Sequence, residues 1–131
     1  MADKIAFDLV SPEKLLLSGL ADMVTVPGTE GYMGVMAGHA ATVTTLRAGM
    51  IDVSSDGKDD RYFIRGGFAE INATKITVLA DEAIPMSDLD LAVLDQRIAD
   101  AAEDEIAAKS DSERQRAAQY LEDLKLVRAA F

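Results

Sequence analysis

His39 is the only histidine of the 131-residue chain, and cysteine is absent. Acid–base, thiolate and metal chemistry draw first on those two residue types, so the catalytic options are narrow. His39 stands in Gly38-His39-Ala40, with no second histidine at helical spacing and no His-Glu-x-x-His frame. A metal site or a general base needs partners that this neighbourhood lacks, so His39 reads as a turn or interface residue. The acidic pairs offer little more. Asp59-Asp60 ends a turn, where solvation explains it, and Asp81-Glu82 fits solvation or capping better than catalysis. Glycine is dense between Gly28 and Gly49, which signals tight turns and close backbone approach. No Lys-Ser or Lys-Thr follows a Gly-x4-Gly frame, so this is not a phosphate loop. The stretch from Gly28 to Met50 is built to present a surface.

The elements that must position these residues change character near Pro85. Before it, apolar residues alternate in short runs: Ile5, Phe7 and Leu9; Val24 and Val26; Ile51 and Val53; Tyr62 to Ile64; Ile76 and Val78. Such runs are half-buried strands. Turn signals separate them, the strongest being Asp56-Gly57, with Asn72 to Lys75 a second. Gly66-Gly67 reads as a bulge or bend. Many short strands with glycine-rich turns predict a sandwich or a barrel.

After Pro85 the period becomes helical. Ser87 with Asp90, and Ser110 with Glu113, have the spacing of capping boxes. Leu91, Leu94, Ile98, Ala101 and Ala102 share one face. Ala117, Tyr120, Leu121, Leu124, Val127 and Phe131 line a second. Two helices joined by the polar break Lys109 to Ser112 predict an antiparallel hairpin. Both stripes are narrow and alanine-rich, so the hairpin is expected to dock on the sandwich or on a partner.

Net charge is −10, which repels phosphate backbones and disfavours nucleic acid as a partner. The opening residues Met1 to Asp8 carry acids and no signal-type apolar core. No apolar run reaches the roughly 18 residues of a membrane helix, so contact with a membrane is expected only through a partner.

Seven short motifs then fall in one order. They are Val10-Ser11-Pro12-Glu13, Leu17-Ser18-Gly19-Leu20, Glu30-Gly31-x-x-Gly34, Gly38-His39-Ala40, Gly49-Met50-Ile51, Gly66-Gly67-x-x-Glu70 and Val78-Leu79-Ala80-Asp81. Each is weak alone. In this order and spacing, across residues 7–83, the chain resembles the epsilon subunit of bacterial F-type ATP synthases. The resemblance implies an N-terminal flattened β-sandwich at 1–86 that contacts the rotor, and a C-terminal antiparallel two-helix hairpin at 87–131 with a regulatory role. It implies a non-catalytic central-stalk subunit that joins the gamma subunit to the c-ring and helps couple rotation to ATP synthesis. Its place would be peripheral, on the cytoplasmic face of the inner membrane. Glu30, Gly31 and Tyr32 match the region that faces the c-ring. Ser11, Gly38 and His39 lie in motifs near rotor contacts. Alpha and beta subunits are partners that the hairpin could reach.

Departures from the family pattern bear on regulation. Ala37 and Ala41 replace two common prolines around His39, which loosens that turn. Tyr32 stands where the loop that faces the c-ring often carries another acid in the family. Some members bind ATP through a Leu/Ile-Asp-x-x-Arg-Ala motif. Here Asp90 is present, but Val93 occupies the arginine position, and Arg97 lies in a frame shifted by four residues. Valine cannot supply a guanidinium fork, so Asp90 and Arg97 are not expected to hold ATP, and no cofactor is expected. Residues 88–109 hold 2 basic and 7 acidic side chains, and residues 110–131 hold 4 of each. An electrostatic grip on acidic partners would be weak, so weak or absent self-inhibition of ATP hydrolysis is expected. The rival reading is a generic β-sandwich interaction module with a helical tail. A small hydrolase is disfavoured by the missing nucleophile and base.

Overall fold

Ile5, Phe7 and Leu9 are buried while Ala6, Asp8 and Val10 between them are partly exposed, the signature of a strand with one face on a core. That strand is β1 (Ile5–Val10). The computed structural model describes residues 3–129 and divides the chain into two compact units, Met1–Pro85 and Met86–Phe131. The first unit continues with β2 (Leu15–Ala21), β3 (Met23–Gly28), β4 (Gly31–Val35), β5 (Thr42–Leu46) and β6 (Gly49–Ser55). It closes with β7 (Lys58–Ile64), β8 (Gly67–Ile71), β9 (Lys75–Ala80) and β10 (Ala83–Pro85).

One hydrogen-bonded path runs β10-β7-β6-β3-β5-β8-β9-β1-β2, with β4 added on β3. The contact of β3 with β5 is a single pair, Gly28 opposite Leu46. The path folds over at that junction into two layers, and their inner faces form one core. Phe7, Leu9, Val24, Val26, Ile51, Ile64, Ile76 and Val78 meet in it. This is the sandwich rather than the barrel, two outcomes that the strand pattern leaves open, and it is the flattened β-sandwich that the resemblance implies. The pairing of β1 with β9 is parallel, a register that no local pattern announces.

The turns form as their residue types require. Asp56 and Gly57 adopt φ of 52° and 79°, the mirror-image turn that suits a tight hairpin between β6 and β7. Asn72 Oδ1 accepts bonds from the Thr74 and Lys75 amides, closing the β8–β9 hairpin. A polar clamp ties one end of the sandwich. Lys4 Nζ donates to Asp22 Oδ1 and Asp56 Oδ1, each at 2.9 Å, and the Asp56 amide donates to Asp22 Oδ2.

The Lys4 bond, and then the Asp56 amide, hold the Asp22 carboxyl below its ordinary value of 3.8. The Asp22 and Asp56 bonds raise Lys4 above 10.5. The lowered acid contributes stability that is present above pH 3.8 and lost as pH falls through its folded value. The raised lysine contributes stability present below pH 10.5 and lost as pH rises through its folded value. Both groups are solvated, so the effect is small. Asp22→Asn is expected to melt below the natural chain at neutral pH, with the gap closing in acid below the ordinary aspartate value. Parallel thermal melts across that range check it; a gap that persists undiminished in strong acid would refute the clamp.

In the second unit a short 3-10 turn (Met86–Asp88) precedes α1 (Leu91–Ala107), and α2 (Asp111–Ala129) follows. The cap of α1 is Asp90 itself, whose carboxylate accepts from the Val93 amide at 2.8 Å. The expected Ser87–Asp90 box does not form, because Ser87 lies inside the 3-10 turn. At α2, Ser110 Oγ accepts from the Glu113 amide as expected, and Glu113 reaches back to the Lys109 amide. Arg128 to Asp95 at 2.9 Å joins the end of α2 to the start of α1, so the helices are antiparallel. Leu94, Ala101, Leu121, Leu124 and Val127 are buried, while Leu91 of the expected stripe is exposed. Asp123, outside that stripe, is buried too and accepts a bond from Gln119. Phe131 lies outside the described residues.

Candidate functional site

The outward positions of β5, β8, β9, β1 and β2 should be polar if that face met only water. Register instead builds an apolar row across it. Thr45 lies opposite Phe68, Phe68 opposite Leu79, Leu79 opposite Val10, and Val10 opposite Leu15. Phe68, Leu79 and Val10 alternate with buried Ala69, Val78 and Leu9, so they point away from the core. A second row runs Val43, Glu70, Thr77, Asp8, Ser18. Val43 is 70% exposed, Leu15 57% and Phe68 43%. Leu20 adds another exposed apolar side chain on β2.

Charge on these five strands is confined to Asp8, Glu70 and Lys75. Lys75 Nζ meets Asp8 Oδ2 at 2.8 Å, and Ser18 Oγ donates to Asp8 Oδ1 at 2.7 Å. Lys75 foremost, and then Ser18, hold the Asp8 carboxyl below its ordinary value. A face that is apolar and almost uncharged, on a chain of net charge −10, is a docking face rather than a solvated one.

The residues singled out from sequence fall at two opposite ends. One end holds the β1–β2 turn, the β3–β4 turn and the link from β7 to β8, as the pairings of Val10, Leu79, Phe68, Leu46 and Gly28 require. Ser11 lies there, its amide and hydroxyl both bonded to the Lys14 carbonyl. Glu30 lies there too, exposed in the two-residue turn Thr29-Glu30, and without a hydrogen-bond or ion-pair partner among the described residues. Gly31 follows at φ 130°, a conformation that a side chain would strain. Tyr32 is on strand β4 rather than in the turn. Its hydroxyl accepts from the Met50 amide at 3.0 Å and, with the Pro27 side chain, fills the space that a side chain at Gly49 would need. Gly38 and His39 sit at the other end, where the Gly38 amide donates to Ala73. The His39 ring bonds the Ala40 carbonyl at 2.7 Å. The structure therefore groups Ser11 with Glu30 and Gly31, and separates Gly38 and His39 from them.

In the helical unit, Asp90 is occupied as a helix cap, and Arg97 donates to the Tyr120 hydroxyl on α2 at 3.2 Å. Two turns of helix separate them, and each is engaged in holding the hairpin. Among the described residues no group of three or more His, Asp or Glu gathers as a metal site. A surface concavity on α2 is lined by Ser112, Gln115, Arg116 and Gln119, which pairs no nucleophile with a base.

Sequence reasoning missed Val10, Leu15, Val43, Phe68, Leu79 and Glu70 as site residues. A signal was present: apolar residues occupy positions that alternation reserves for polar ones, in strands nearly free of charge.

Fold and surface together define a docking subunit, a two-layer sandwich with one apolar face and a helical hairpin. Residues 4–86 match the family model described as the ATP synthase, Delta/Epsilon chain, beta-sandwich domain. The ATP synthase epsilon chain of Parvibaculum lavamentivorans is 52% identical over 129 residues, covering 98% of both chains. That of Mesorhizobium japonicum is 43% identical, covering 100% of this chain and 98% of the relative. A chain in the Euglena gracilis mitochondrial ATP synthase, solved as OSCP/F1/c-ring, superposes with a TM-score of 0.80 at 29% identity. It covers 97% of this chain and 81% of that one. A chain of the Tetrahymena thermophila central stalk/c-ring has TM-score 0.71 at 12% identity, covering 97% and 98%, and shares the fold alone. The chain belongs to the ATP synthase epsilon chain family. It is a non-catalytic subunit of a membrane-associated complex. No helix among the described residues is long and apolar enough to cross a membrane.

Proposed function

We propose that the chain is the central-stalk rotor subunit that joins gamma to the c-ring and so carries torque between proton flow and ATP synthesis. The observation that supports this most is the apolar row Phe68, Leu79, Val10 and Leu15. It offers gamma a broad dry surface, and the Thr29-Glu30 turn lies at one end of the same sandwich. In this reading residues 1–86 form the rotor-contact domain and Glu30, Gly31 and Tyr32 meet the c-ring. Glu30 supplies a free carboxylate for a basic group of the ring, and Gly31 keeps the turn tight. Tyr32 braces the strand behind them. Ser11 lies near that contact, while Gly38 and His39 serve a rotor contact at the far end. The subunit works on the cytoplasmic face of the inner membrane, held there through the c-ring. No cofactor is assigned.

A cysteine in place of Glu30, with another in the polar loop of the c-ring, is expected to form a disulfide in the assembled complex. A cysteine in place of His39 is not expected to reach that loop. Cross-linking from position 39 but not from position 30 would overturn the placement.

The hairpin, residues 87–131, is assigned a weak regulatory role, with alpha and beta subunits within its reach. Acid is concentrated on α1, and the one arginine there is bonded to Tyr120. Removing residues 88–131 is expected to leave the ATPase rate of the complex close to that of the full assembly. Several-fold activation on truncation would refute this.

A further inference from the structure

Glu70 is the one charge on the docking face that the chain does not neutralise. Asp8 is on the same row, one strand beyond Thr77, and is held by Lys75 and Ser18. The Glu70 carboxylate has no hydrogen-bond or ion-pair partner among the described residues. Lys75, the only cation on these five strands, is committed to Asp8. Glu70 has Val43 directly opposite on β5 and Phe68 two residues away on the same side of β8. Both are exposed apolar side chains that a partner would cover.

Covering Val43 and Phe68 removes water from the Glu70 carboxylate. A desolvated carboxylate without a counter-charge costs several kcal/mol in general, whereas Asp8 goes under a partner already paired. An apolar partner surface alone would therefore be opposed at this point. We infer that the segment docked on this face is an apolar ridge carrying one lysine or arginine, placed to pair with Glu70 and to set the register of docking. The inference rests on the reading that gamma occupies the face, and it adds the chemistry gamma must present there. Apolar contact along the row supplies adhesion, and the single ion pair selects one alignment among several that an apolar strip would tolerate.

The test measures binding of the full-length chain to the purified gamma chain of the same organism, by calorimetry at low and moderate salt. Glu70→Lys is expected to weaken binding by more than about tenfold, since it sets like charges against each other. Glu70→Gln is expected to weaken binding less and to flatten its salt dependence. Phe68→Ser serves as the control for docking itself, and circular dichroism melts confirm that each variant is folded. Phe68→Ser losing affinity while Glu70→Lys binds like the natural chain, with an unchanged salt dependence, overturns the ion pair and leaves docking intact. Phe68→Ser binding like the natural chain removes the docking reading, and the pairing with it.

Discussion

Phe68→Ser is expected to lower the affinity of the chain for gamma by roughly five- to thirtyfold while leaving the sandwich folded. Phe68 points outward from β8, between Thr45 and Leu79, and keeps 43% of its surface in solvent. Fully burying a phenylalanine is worth about 1.5–3 kcal/mol, so covering the 43% still exposed contributes about 0.6–1.3 kcal/mol. Aromatic anchors near the middle of a contact tend to carry more than their share, which raises the expected loss to about 1–2 kcal/mol. The fold has little to lose. The core-facing neighbour is Ala69, fully buried, and serine at position 68 opens no cavity behind it. Titration of gamma with natural and Phe68→Ser chains, beside their thermal melts, separates the two effects. A variant that binds unchanged, or that unfolds, would contradict the placement of Phe68 on a docking face.

Gly67→Ala acts on the other side of the balance. The chain is expected to lose several kcal/mol of stability, about 4 kcal/mol or more from backbone strain and overlap combined, against a typical total of 5–15 kcal/mol. Gly67 has φ 137°, which a side chain rarely adopts. An added Cβ would overlap the Leu79 carbonyl oxygen and approach Ala80 Cα to 2.9 Å. Both are backbone atoms of the paired strand β9, so no rotamer change relieves the clash. This glycine begins β8 beside Phe68, and the same close pairing holds Phe68 opposite Leu79. Gly19→Ala is the contrasting case, since a Cβ there meets nothing within 4 Å. Thermal melts of the two variants should differ by many degrees. Near-equal melting would show that β8 and β9 do not approach as described.

Sequence reading recovered the local features for physical reasons. Alternation identified β1 because one face of that strand is buried and the other is not. Asp56-Gly57 announced its hairpin because few residue pairs accept two positive φ values. Ser87 and Asp90 have the spacing of a capping box, yet the Asp90 carboxylate is itself the cap; both residue types suit that role, and only backbone geometry chooses between them. Strands β2, β4, β8 and β10 escaped the pattern, β8 because Phe68 puts an apolar side chain on its outward face. In the other three, apolar residues do not alternate cleanly, since β2 and β10 are the ends of the sheet path and β4 pairs only with β3.

The amino-acid sequence by itself determined the class of most elements, the change from strand to helix near Pro85, the absence of a cysteine or a histidine pair, and membership of the epsilon family through seven ordered motifs. Those properties depend on neighbours in the chain or on spacing along it. The docking face was decided only by tertiary structure. Leu15, Phe68 and Leu79 become one surface because Val10 pairs with both Leu15 and Leu79, and Leu79 pairs with Phe68. Periodicity tells which side of a strand a residue takes, but not which strand lies beside it. For the same reason Glu30 and His39, nine residues apart in sequence, stand at opposite ends of the sandwich: strand β4 carries the chain from one to the other.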